Sequence, residues 1–279
     1  MSKTIQLSPK EAAVESQSSG SAPGTGGYDP AFFEQLSRIE DRHFWFRSRN
    51  RLILELVRHF SSSSELCNLV LEVGCGTGNV LRVLEKACPN SMVVGLELWF
   101  EGLKHARNRS GAALVQADIR NLPFRKQFDL VGMFDVLEHI PEDEATLRLA
   151  HGALRPGGQL LLTVPAHPSL WSYFDEAAHH CRRYSQEDLR SKLESAGFEV
   201  RFLTEFMASI LPIVWTYRKL NTLRRKPGST QQLASDEFRL VPVVNGILTG
   251  MLYLEAQWVS RGHTLPAGTS LVVVARKAA

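Results

Sequence analysis

A chain of 279 residues, 44% of them apolar, holds enough material for one large α/β domain with an insertion. Its formal charge of +3 is too small to mark a nucleic-acid binder on electrostatics alone. Four cysteines without pairing or metal-ligand spacing argue against a disulfide framework and for free thiols in a reducing, cytoplasmic setting.

Residues 1–27 are rich in Ser, Gly, Ala and Pro and poor in large apolar groups, which predicts a disordered tail. They lack the basic stretch and apolar core of a secretory signal. Over residues 28–64 the positions Phe32, Phe33, Leu36 and Ile39, then Leu52, Ile53, Leu56 and Val57, recur at helical spacing. Between them, His43 to Arg49 is dense in rings and arginines. These rings either pack a helix onto the sheet edge or form a lid, with Trp45 or Phe44 over a ligand and Arg49 forked onto a carboxylate. Ser61 to Ser64 predicts a loop into the first strand.

The apolar run Leu69 to Val73 reads as a buried strand and stops in glycines at alternate positions, Gly74, Gly76 and Gly78. A helical pattern of Val80, Leu81, Val83 and Leu84 follows at once. Strand, glycine turn and helix together build a nucleotide site at the carboxyl end of a first strand. Glycine suits that turn because a ligand must approach bare backbone. No Lys follows, which excludes a Walker loop, and Asn79 stands where a dinucleotide fingerprint wants a small residue.

Met92 to Glu97 predicts strand two, ending in an acid that can accept ribose hydroxyls or cap the next helix. Ala113 to Ala117 and Phe128 to Phe134 predict strands three and four. Leu154 to Gly158 reads as a helix stop and turn before strand five, Gln159 to Pro165. Gly197 to Phe202 alternates as strand six, and Thr269 to Lys277 reads as strand seven.

Taken in order, Glu72-x-Gly74-x-Gly76-x-Gly78, the acid Glu97, Asp118-Ile119, the end of strand four and Leu154 to Gly158 resemble the class I S-adenosylmethionine-dependent methyltransferase superfamily, in its small-molecule branch. The resemblance implies an α/β, Rossmann-like sheet of seven strands in order 3-2-1-4-5-7-6, the last antiparallel, with helices on both faces. It implies a SAM-binding core over residues 65–204, a helical insertion over 205–265 and a final strand within 266–279. It also implies S-adenosylmethionine as cofactor. Glu72, Gly74, Cys75, Gly76 and Gly78 would cradle its methionine part, and Glu97 its ribose. Leu98, Asp118 and Ile119 would meet the adenine, Phe134 the methionine end, and Trp45 and Arg49 would reach in from the N-terminal helices. Strand four is not followed by the Asn/Asp-Pro-Pro-Tyr/Phe of enzymes that methylate base or glutamine amino groups, so no nucleic-acid acceptor is expected.

His139, His167, His179 and His180 are the candidate general bases, with His139 and His180 taken as the catalytic pair, imidazole being the side chain that changes charge near neutral pH; His139 equally suits a helix cap. The segment leaving strand five supplies His167, Trp171, Tyr173, Arg183 and Tyr184 as candidate acceptor contacts. Arg182 and Arg183 suit an anionic acceptor or a solvated loop. His179-His180-Cys181 lacks the partner spacing of a metal site, and no metal is expected. In the insertion, the apolar tracts Phe206 to Tyr217 and Val241 to Tyr253 flank a basic linker, Arg224 to Gly228. They predict two helices, either core-packed or admitting a greasy acceptor or resting on a membrane surface; neither makes a convincing membrane span. The expected function is methyl transfer to a small-molecule acceptor, hydrophobic or lipid-linked. A non-catalytic partner subunit of the same fold is the alternative.

Overall fold

A computed structural model describes residues 32–61, 68–224 and 230–279. The tail expected over 1–27, the end of the serine run and the centre of the basic linker lie outside them. The chain opens with helices α1 (Phe32–Ile39) and α2 (Phe44–Ser61), then alternates β1 (Leu69–Val73), α3 (Leu81–Ala87), β2 (Met92–Glu97), α4 (Phe100–Arg109) and β3 (Ala113–Gln116). It continues with β4 (Phe128–Phe134), α5 (Asp143–Ala153), β5 (Leu154–Pro165), α6 (Tyr173–Ala177), α7 (Gln186–Ser195) and β6 (Phe198–Phe206). Helices α8 (Leu211–Arg224), α9 (Thr230–Glu237) and α10 (Pro242–Ser260) precede β7 (Ser270–Lys277).

The strands form one sheet in the order β3-β2-β1-β4-β5-β7-β6, as the motifs imply. Strands β1 to β5 run parallel, and β7 lies antiparallel between β5 and β6. The two faces follow from strand alternation. On one, Leu71, Val131, Leu160 and Val273 pack with Leu147 and Ala150 of α5 and Leu189 and Leu193 of α7. On the other, Val70, Leu130, Leu161 and Val272 meet α2, α3, α4 and α10. Burial on both faces is why the strands read as unbroken apolar runs.

Several elements differ from expectation, among them β5, which already begins at Leu154, in the stretch expected to be a turn. The helical lid expected over 28–64 is, in its second half, a core helix, with Leu52, Ile53, Leu56 and Val57 fully buried. Strand six continues to Phe206, so the first apolar tract begins inside the sheet and the core reaches past residue 204. The insertion holds a third helix, α9, besides the two predicted. Pro212 does not break α8 because it sits in the first turn, where its missing N–H has no helical partner to lose. Glu255 of α10 accepts the Ala208 and Ser209 amides at 3.0 and 2.6 Å, which fixes where α8 starts. Among the described residues no helix is long and apolar enough to cross a membrane.

Candidate active site

The glycine turn leaves β1 at the centre of the sheet. Gly74 has φ +69°, and a Cβ there would lie 2.5 Å from Val136 Cγ2, so both backbone conformation and space demand glycine. Gly78, at φ +78°, also serves packing: a Cβ there would lie 2.8 Å from Ala106 Cα of α4. The Gly76 amide donates to Glu97 Oε2 at 2.9 Å, and the Trp99 amide to Oε1 at 3.0 Å. Helix α1 is latched over this turn, with Glu40 accepting from Thr77 and Arg109, each at 2.5 Å.

A cavity of about 440 Å³ opens above the carboxyl ends of β1, β2 and β4. It brings together Glu72, Gly74, Cys75, Gly76, Glu97, Leu98, Asp118, Ile119, Phe134, Trp45 and Arg49 from the cofactor set, with His139, His180 and Arg183. Gly78, His167, Trp171, Tyr173 and Tyr184 are not among its lining residues. His167 turns to Glu205, with Nε2 2.7 Å from Oε2, and Trp171 faces solvent. Tyr173 is buried and donates to Glu237 at 2.7 Å. Tyr184 is a core residue, its hydroxyl on Asp143 at 3.1 Å. Arg182 is tied to Asp143 at 2.6 Å, and Arg183 donates to Asp175 and the Ala166 carbonyl at 2.7 and 3.0 Å, so neither arginine stands ready for an anionic acceptor.

Charge in the cavity is arranged at two places. Glu72 is buried, and its Oε2 has no hydrogen-bond partner; burial pushes its carboxyl well above the usual range, against the pull of Arg49. Arg49 donates to Asp135 at 2.7 Å, lies 4.8 Å above Trp45, and keeps its Nε unpartnered. Asp135 itself sits at φ +57°, a conformation uncommon outside glycine, which turns its carboxylate toward Arg49. An unpartnered buried acid and a guanidinium with a spare donor together match the ammonium and carboxylate of an amino-acid zwitterion. Glu97 is raised by burial, against its backbone hydrogen bonds, while Asp118 resists its partial burial and is lowered by Arg120. Burial pushes the Cys75 thiol up and keeps it from acting as a thiolate.

The second place is a histidine cluster. Helix α6 ends at Ala177, and two residues on His179, at φ +55°, reverses the chain and returns His180 to the helix it has just left. There His180 Nδ1 meets Asp175 Oδ1 at 2.9 Å. Burial alone would raise the Asp175 carboxyl, but the His180 hydrogen bond and Arg183 outweigh it and hold it down to about 2. His180 Nε2 faces Glu138 Oε1 at 4.0 Å, and the His139 ring stands edge-on to His180 at 4.8 Å. Burial, then His180, pushes His139 down to about 3, so it stays neutral near pH 7. Potential ligand atoms of Glu138, His139 and His180 lie within 4.8 Å of one another, a grouping that the His179-His180-Cys181 spacing did not reveal.

Sequence reasoning passed over Asp175, Glu138 and Phe238. Asp175 does carry a signal, because Ser172-x-x-Asp175 is a capping box. Its Oδ2 caps α6 while Oδ1 holds His180 and Arg183, so the local motif conceals the second role. Phe238 lines the roof through contacts with Phe46 and Phe174, which lie far from it in the chain.

This strand order, with a glycine turn and acids at neighbouring strand tips, defines a class I S-adenosylmethionine-dependent methyltransferase fold. The methyltransferase-domain family matches residues 42–202, more than half of the chain, and the chain belongs to it. It is 26% identical over 166 residues to an S-adenosylmethionine-dependent methyltransferase of Mycolicibacterium smegmatis, covering 58% of this chain and 62% of that one. Over 152 residues it is 29% identical to a ubiquinone biosynthesis O-methyltransferase of Pseudomonas aeruginosa, with 47% and 65% covered. Over 114 residues it is 37% identical to tRNA methyltransferase 9B of Mus musculus, with 39% and 24% covered. The chain thus spans between a quarter and two thirds of the length of these relatives. Among solved structures, the chain assigned as a methyltransferase in a complex with the Haloferax volcanii Trm112 methyltransferase activator shares the fold at TM-score 0.57 and 19% identity, with 89% and 95% covered.

Proposed function

We propose that the protein transfers a methyl group from S-adenosylmethionine to a small, largely apolar acceptor that presents a hydroxyl to His180. The observation that carries this is that His180 lines the same cavity as the glycine turn, with the fully buried Asp175 holding it from behind. The residues fit the cofactor. Glu72 has a spare acceptor for an ammonium, Arg49 a spare donor for a carboxylate, and Glu97 and Asp118 stand at the strand tips for ribose and adenine. Bound there, S-adenosylmethionine supplies an electrophilic methyl on a positively charged sulfur.

The rest of the cavity supports the choice of acceptor. Phe44, Phe46, Phe174, Ile210, Val214 and Phe238 give it an apolar wall and roof, which exclude water from the reacting groups. Asp175 accepts the Nδ1 proton of His180, which leaves the Nε2 lone pair for the acceptor's proton. His139 is held neutral beside it and does not compete electrostatically. The apolar lining and the small net charge favour a small molecule over a polynucleotide.

The test is formation of S-adenosylhomocysteine with a panel of phenols, enols and alcohols, and with bulk tRNA. His180→Gln should lower kcat by about 10²–10⁴ with cofactor affinity unchanged by calorimetry. Asp175→Asn should lower kcat as well, because the amide no longer holds the Nδ1 proton and ring orientation of His180. Full activity in His180→Gln, or methylation of tRNA alone, overturns the proposal. Cofactor binding without turnover on any acceptor indicates the non-catalytic subunit instead.

A further inference from the structure

Helix α10 carries apolar residues on two opposite sides, yet only one of them is covered. Thr249, Leu252, Ala256 and Val259 are buried toward α2 and the sheet. On the opposite side Val243, Val244, Ile247, Met251, Leu254 and Trp258 are between 38% and 74% exposed. At 100° per residue these six fall within about one quadrant, forming a stripe about 22 Å long. Soluble monomers rarely leave so continuous an apolar surface in water without a use for it.

The surroundings of the stripe are basic. Between Val241 and Leu254 there is no Asp or Glu, and Glu255 is occupied by the start of α8. Arg239 is exposed just before the helix. At the other end, a surface hollow of about 410 Å³ lies between α2 and α10 and is lined by Arg51, Arg58, His59 and Arg261, with Glu55 as its acid. Glu55 is paired with Arg51 at 2.7 Å. Among the described residues, neither Arg58 nor Arg261 has a carboxylate within ion-pair distance. Trp258, stacked on His263 at 4.1 Å, stands where the stripe meets the hollow.

We propose that this face docks on an anionic lipid surface. The stripe enters the boundary between head groups and acyl chains, Trp258 sits at head-group depth, and the hollow between α2 and α10 receives a lipid phosphate. Apolar face, interfacial tryptophan and flanking arginines are what an in-plane membrane helix requires. A second copy suits the charges less well: pairing two stripes antiparallel sets Arg239 of one chain against Arg261 of the other. The inference does not depend on the identity of the methyl acceptor.

The experiment is flotation of the full chain with vesicles of phosphatidylcholine alone and of phosphatidylcholine mixed with phosphatidylglycerol. The wild type should float with the anionic vesicles, and its Trp emission should shift to the blue; that shift should be lost in Trp258→Phe. The exposed double substitution Ile247→Glu with Leu254→Glu should lower vesicle binding at least about tenfold while melting temperature and cofactor binding stay as in the wild type. Arg58→Glu with Arg261→Glu should reduce anionic binding to the level of neutral vesicles. A wild type that stays in the soluble fraction with both vesicles overturns the proposal, as does binding that survives the stripe substitutions. Size-exclusion showing a dimer that Ile247→Glu with Leu254→Glu dissolves assigns the face to a second copy instead.

Discussion

The two halves of the cavity are built by different means. The half proposed for the cofactor is made of short segments at the carboxyl ends of parallel strands, each carrying a candidate residue: Glu72 and Gly74, Glu97, Asp118, Phe134. The acceptor half is assembled from parts remote in the chain, with α1 and α2 from the start, Phe174 and His180 after β5, and Val214 and Phe238 from the insertion. In the first half backbone at the glycine turn and side chains at the strand tips share the site, and in the second side chains alone make it. Substitutions should therefore be sharp and local in one half and graded in the other.

The largest effect is expected at the backbone. Gly74→Ala places a Cβ against Val136 at a φ that L-residues adopt reluctantly, at a cost of about 2–3 kcal/mol. It should lower the melting temperature by several degrees and abolish cofactor binding measured by calorimetry. Retention of wild-type affinity would remove the glycine turn from the site. Next, Glu72→Gln should weaken S-adenosylmethionine about tenfold or more, by loss of a charge-assisted hydrogen bond, while the melting temperature stays level or rises. That opposite movement is the signature of a buried acid whose Oε2 is left without a partner in the cofactor-free protein.

In the acceptor half, Phe238→Ala opens the aromatic roof over Phe46 and Phe174. It should raise KM for the acceptor about tenfold with cofactor affinity nearly constant. A parallel loss of cofactor affinity would mean that the two halves are not separable. The smallest effect is on stability against pH. His139 has a folded-state pKa pushed down to about 3, so the unfolded chain takes up its proton first as pH falls. Its contribution is complete above about pH 6.5 and is lost below, at no more than about 1.4 kcal/mol per pH unit. Urea unfolding at stepped pH should show a shallower slope in His139→Asn. Burial depresses His43 too, so the slope should diminish without vanishing.

The same division governs what could be read from the chain. Glu72, Gly74, Glu97 and Asp118 sit at strand ends, where local pattern and position coincide. Tyr173 and Tyr184 looked like acceptor contacts because they follow strand five, but both side chains turn into the protein, toward Glu237 and Asp143. Arg182 and Arg183 looked available because their carboxylates, Asp143 and Asp175, come from other segments. Trp45 and Arg49 read equally as lid or core. The structure divides α2 between the two, its first turns lining the cavity and its later turns buried on the sheet.

Sequence by itself determined the strands, the glycine turn and the acids beside it, because buried parallel strands must be apolar throughout and a ligand can approach backbone only where side chains are absent; the strand order was implied only by the family resemblance. Tertiary structure decided which histidine is oriented by a carboxylate, which arginines are already paired, and which side of α10 is left facing out. The Asp175–His180 pair spans only five residues but depends on the chain reversal at His179, and the free side of α10 depends on its packing against α2 and the sheet; a linear pattern encodes neither.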